Sequence, residues 1–123
     1  VLTVSGFVVT FSVVTGILDA SGLLPALVGT LAARLGLELH FARALCTGVL
    51  ELGTGIGAMQ GLTPTPGNLA LAAFLIGWGG VSVHCQTAAV IAGTDIKSAR
   101  HTAGRLLHGV ISALCMWVLT NLI

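Results

Sequence analysis

Formal charge interrupts this chain at only nine positions, Asp19, Arg34, Glu38, Arg43, Glu51, Asp95, Lys97, Arg100 and Arg105, and the apolar stretches between them predict its elements. Val1 to Leu18 and Leu106 to Ile123 are charge-free. As helices each would reach about 27 Å, close to the roughly 30 Å hydrocarbon thickness of a bilayer. Both read as membrane spans. Between Glu51 and Asp95 the chain is uncharged but broken by Thr63-Pro64-Thr65-Pro66-Gly67-Asn68, whose prolines and glycine stop a helix and make a turn. The predicted helices are therefore Val1–Leu18, Phe41–Leu62, Asn68–Ala92 and Ala103–Ile123. A shorter one carries Leu24, Leu27, Val28, Leu31 and Leu35 on one stripe and suits the membrane interface better than a span.

Composition agrees. Hydrophobic residues make up 55% and charged residues 7% of the 123, with a mean hydropathy of +1.04, whereas soluble domains carry roughly 25% charged residues. The fold class is all-α, a polytopic helical membrane protein occupying residues 1–123 as one domain. A net charge of +1 is too small and too scattered for a nucleic-acid-binding surface. Cys46, Cys85 and Cys115 lie far apart in apolar stretches, with no CxxC spacing for zinc, and read as small packing residues. The absence of an initiating methionine and the apolar end predict a piece of a longer chain. Val1–Leu18 lacks the basic leader of a signal peptide, so it reads as a true span.

Lysine and arginine placement suggests an orientation. Lys97, Arg100 and Arg105 put the Asp95–Arg105 segment in the cytoplasm, and the uncharged Thr63–Asn68 turn falls outside. Arg34 and Arg43 then also favour the cytoplasm, giving four spans. A competing arrangement folds Phe41–Leu62 into a re-entrant hairpin, because Gly48, Gly53, Gly55 and Gly57 crowd its middle and irregular backbone is tolerated at depth when protein or a water-filled cavity surrounds it. Both arrangements stay open at this point.

Two stretches could carry chemistry. Glu51 lies at bilayer depth, where a carboxylate costs roughly 2.5–3.5 kcal/mol and marks a solute or ion pathway unless paired with, for instance, Arg43 or His84. Glycines at alternate positions after it suggest unwound backbone around Thr54 rather than a packing stripe. The second is Ile76-Gly77-Trp78-Gly79-Gly80-Val81-Ser82-Val83-His84-Cys85-Gln86-Thr87. Its three glycines in four residues predict a helix break, after which Ser82 could cap a new half-helix and share a face with Gln86 one turn on. The alternative for these residues is close helix packing and interhelical hydrogen bonding. The candidate solute-binding set is Glu51, Thr54, Gly79, Gly80, Ser82 and Gln86. His84 and Cys85, with Cys46, Met59 and Glu51, form a weaker soft-metal candidate. His108, Trp78 and Trp117 read as packing or interface anchors. Asp19 and Asp95 lie too far from Ser82 and His84 to orient a catalytic triad, so no enzyme and no cofactor is expected.

The run Gly77-Trp78-Gly79-Gly80-Val81-Ser82-Val83-His84-Cys85-Gln86, followed by Arg105-Leu106-Leu107-His108, resembles the YlbJ-like sporulation integral membrane proteins and, more broadly, the nucleoside-recognition (Gate) domain family. The resemblance covers roughly Phe41 to His108. It implies half of a pseudo-symmetric transporter fold with an interfacial helix at Leu24–Leu35, a hairpin tip at Glu51–Gly57, a helix break at Gly77–Gly80 and a closing span at Ala103–Ile123. It favours the hairpin over the continuous span. It also implies a multi-pass place in the bacterial cytoplasmic membrane, partnered by lipid and by the other half of the same chain or a second copy. The function expected is movement of a small polar solute or ion across that membrane during sporulation. The rivals are a non-transporting scaffold in spore envelope assembly and a metal-ion gate.

Overall fold

The computed structural model describes all 123 residues and is entirely helical. The elements are α1 Leu2–Ala20, α2 Leu23–Leu35, α3 Leu39–Leu50, α4 Leu52–Gly57, α5 Pro66–Trp78, α6 Gly80–Ile91 and α7 Ser98–Leu122. Local chemistry sets the joints. Gly36 closes α2 in the left-handed region at φ 64°, a conformation that carries no penalty without a Cβ. The Thr65 hydroxyl accepts the Asn68 N–H at 3.2 Å and Pro66 sits in the first turn, so α5 starts sharply two residues before the predicted Asn68.

Phe41–Leu62 is not one helix, and the four-span arrangement fails with it. Glu51 adopts extended backbone (φ −144°, ψ 120°), which ends α3 and turns the chain back through α4. Twelve residues of α3 reach about 18 Å, too short to cross a bilayer. The return path is tight, since a Cβ on Gly55 would fall on the Gly48 backbone. The alternating glycines are thus not unwound. Gly53, Gly55 and Gly57 lie within α4, and the irregular backbone is confined to Glu51.

The predicted Asn68–Ala92 helix is interrupted at the expected glycines and forms α5 and α6. Gly79 and Gly80 both hold positive φ, 86° and 83°, and Gly79 is at once the end of α5 and the cap of α6. Ser82 therefore lies inside the first turn of α6 and does not cap it. Helix α7 begins at Ser98, five residues earlier than predicted, and crosses α5 where Gly77 meets Gly109. A Cβ on Gly77 would come within 2.6 Å of the Gly109 Cα, so this glycine serves close packing.

Three segments are long and apolar enough to cross a membrane: Leu2–Ala20, Pro66–Ile91 and Ser98–Leu122. The central one is 39% buried and the outer two 6% each, which puts the interrupted α5–α6 segment inside and leaves α1 and α7 facing outward. Helix α2 packs Leu24 and Val28 onto Ala42 and Cys46 of α3, with Leu27 and Leu35 left exposed. A second cluster joins Ala44 of α3 to Leu71 and Leu75 of α5. Leu75 also fills the space above Gly48.

Candidate functional site

The hairpin tip and the helix break meet. A Cβ on Gly80 would lie 3.0 Å from the Leu52 nitrogen and 3.2 Å from the Leu50 carbonyl oxygen, so the two irregular backbones touch directly at this point. Four half-helix ends converge there: the C-termini of α3 and α5 and the N-termini of α4 and α6. Each carries backbone groups without intrahelical partners, which hydrocarbon cannot satisfy.

Side chains close three of these ends. Glu51, 5% exposed, accepts the Gly53 N–H at 2.8 Å, the Thr54 N–H at 2.6 Å and the Thr54 hydroxyl at 2.7 Å. It is the cap of α4, placed where a helix N-terminus favours a negative group. The Trp78 indole N–H donates to the Val49 carbonyl at 3.1 Å, in the last turn of α3. Arg105 donates from Nε to the Trp78 carbonyl at 3.3 Å and from Nη2 to the Ile76 carbonyl at 3.4 Å, closing α5. No side chain caps α6.

Several sequence assignments change here. Glu51 pairs with neither Arg43 nor His84. Arg43 instead bonds Asp19 at 2.8 Å. Trp78, read as a packing or interface anchor, and Arg105, read as a charge of the loop before the last helix, are the groups that hold the break together. Their donor roles were legible only as residue types, because the carbonyls they reach lie 27 to 29 positions away. His84 stacks near Trp78, with ring centroids 4.2 Å apart, and lies 5.9 Å from the His101 ring. Neither of its ring nitrogens has a hydrogen-bond partner within the chain. No three His, Cys, Asp and Glu side chains gather as a metal-binding group, so His84, Cys85, Cys46 and Glu51 are not brought together as a ligand set.

Of the candidate solute-binding residues, Glu51, Thr54, Gly79 and Gly80 stand at or beside the crossing. Ser82 is buried in the first turn of α6, and Gln86 is half-buried one turn further on. Beside the hairpin lies a polar cavity of about 300 Å³. Its lining includes the predicted Thr54 and four residues that the sequence did not single out for binding, Thr15 and Asp19 of α1 and Arg43 and Thr47 of α3. Ser82 and Gln86 do not line it.

No protein-family model, curated protein or solved structure matches this chain.

Proposed function

We propose that this chain is a transport module of the bacterial cytoplasmic membrane, helping a small polar solute or ion across it in the sporulation setting that the family resemblance implies. The observation that carries the reading is the contact between the Glu51 hairpin tip and the Gly79–Gly80 break. Interrupted helices whose ends meet inside an apolar layer are costly, and transporters use them because freed backbone groups bind solutes. The uncapped N-terminus of α6, with Ser82 buried in its first turn, supplies the positive helix end at that point. Gln86, Thr54 and the Glu51 carboxylate supply polar side chains around it.

A second reading is favoured by one specific feature. Glu51, Trp78 and Arg105 already satisfy three of the four ends, as a rigid membrane scaffold would also require. The two readings separate in proteoliposomes holding the full chain or its Gly80→Leu variant, each confirmed as helical by circular dichroism. Uptake of labelled nucleosides or other small polar solutes above the empty-vesicle level, lost in Gly80→Leu, supports transport. Equal uptake by both proteins, or none for any solute, returns the crossing to a scaffold role.

A further inference from the structure

Ser12, Thr15 and Asp19 fall at i, i+3 and i+7 on α1 and so share one face in its second half, whose other residues are apolar or glycine. Arg43 and Thr47 stand one turn apart on α3, and Thr54 faces them from α4. These six residues line the cavity of about 300 Å³ described above. Thr15 and Thr47 are buried, and the Asp19–Arg43 pair is roughly two-fifths exposed at one end.

The hydrogen bonds decide what the wall can offer. The Thr15 hydroxyl donates to the Phe11 carbonyl at 2.8 Å, the Thr47 hydroxyl to the Arg43 carbonyl at 2.8 Å and the Thr54 hydroxyl to the Glu51 carboxylate at 2.7 Å. A hydroxyl has one proton and two lone pairs, so all three protons are committed and only acceptor capacity is left. Asp19 adds a carboxylate whose Oδ2 alone is engaged by Arg43. The free donors of the wall are the Ser12 hydroxyl and the Arg43 N–H groups not bonded to Asp19, and against them stand four acceptor groups, so a ligand that brings an ammonium is matched by the threonine and Asp19 oxygens. A bare metal ion needs oxygens packed around it at about 2.0–2.6 Å, whereas this volume matches the lower end of small-molecule pockets, at roughly 300–1,000 Å³.

We propose that this cavity binds a small organic solute through its primary ammonium group, held by the Thr15, Thr47, Thr54 and Asp19 oxygens. Two kinds of solute carry that group: a simple amine, and an α-amino acid whose carboxylate would also engage the unused N–H groups of Arg43. The cavity lies beside the crossing and not at the Gly79–Gly80 break, so the proposal goes beyond the transport reading by adding a binding site, and binding is read without flux. Transport lost while binding persists sinks the transport reading alone; binding absent while another solute is carried sinks this one alone.

The test is calorimetric titration of the purified full chain in detergent with propylammonium, alanine, tetramethylammonium and propionate. Propylammonium or alanine should bind, and tetramethylammonium, a cation without N–H donors, should not. Tighter binding of alanine identifies the amino-acid source, and tighter binding of propylammonium the amine. Thr15→Val should weaken the affinity about tenfold, the size of one lost hydrogen bond, and Thr15→Ser should keep it within about twofold. Equal binding of tetramethylammonium and propylammonium, no binding of either ammonium probe, or an unaltered Thr15→Val affinity overturns the proposal. The comparison among probes uses the unmutated protein, so it decides the matter even where a variant does not fold.

Discussion

Glu51 interrupts a helix with its backbone and starts the next one with its side chain. All three of its hydrogen bonds are accepted, two of them from N–H groups at the start of α4. Glu51→Gln would place an amide NH2 against these donors, and hydrogen bonds to charged groups are worth roughly 1.5–3 kcal/mol each. A loss of about that size is expected in the unfolding free energy in detergent, read as a lowered midpoint, with Glu51→Asp, a stronger capping type, losing less. Equal midpoints for Glu51→Gln and the parent protein would remove the cap assignment. At the break, Ser82→Ala and Gln86→Ala should each weaken solute binding by roughly 1–2 kcal/mol, and undisturbed binding in both would take these residues out of the site. The importance of Glu51 was legible because a carboxylate deep in an apolar run is rare. Its partners were not, because they follow from the chain stopping at Glu51 itself. The polar stripe of Ser12, Thr15 and Asp19 was present in the sequence, but its meaning depended on α3 and α4 folding against it.

The interrupted helices differ in how clearly their sequences announce them. Gly77-Trp78-Gly79-Gly80 predicted a break, and the structure places it there, with each glycine used differently: Gly77 for the approach of α7, Gly79 and Gly80 for positive φ. The alternating glycines after Glu51 misled, since Gly55 is small for the sake of Gly48, a contact that local pattern cannot show. Gly80 is the most sensitive element joint. An alanine there takes on a left-handed conformation, costing roughly 1–2 kcal/mol, and sets a Cβ 3.0 Å from the Leu52 nitrogen. Gly80→Ala should therefore lower thermal stability in detergent by at least that amount. Gly104, in open space within α7, is the matched control, and Gly104→Ala should be neutral or stabilise by roughly 0.5–1 kcal/mol. Similar losses for both variants would mean that neither backbone angle nor proximity singles out Gly80.

At the scale of the whole molecule, the apolar spacing gave the all-helical class and three helices long and apolar enough to cross a membrane, and the hairpin removes the fourth expected span. Its removal also undoes the charge argument for orientation. With α4 folded back on α3, a membrane crossed by the three long apolar segments would have the α2–α3 joint and the Thr63–Asn68 turn on one side and the α6–α7 joint on the other. Arg34 and Arg43 then stand on the first side and Lys97 and Arg100 on the second, with Arg105 drawn into the helix break. In that arrangement lysine and arginine divide evenly between the two sides and give no orientation. The relative placement is still sharply testable. Single cysteines at Glu38, Thr63 and Ser98, all exposed, would be introduced after replacing Cys46, Cys85 and Cys115, and labelled in intact cells and inverted vesicles with an impermeant thiol reagent. Glu38→Cys and Thr63→Cys should react from the same face and Ser98→Cys from the opposite one. A continuous span over residues 41–62 requires Glu38→Cys and Thr63→Cys to react from opposite faces, and that result would dismantle the hairpin and, with it, the crossing on which the proposed site is built.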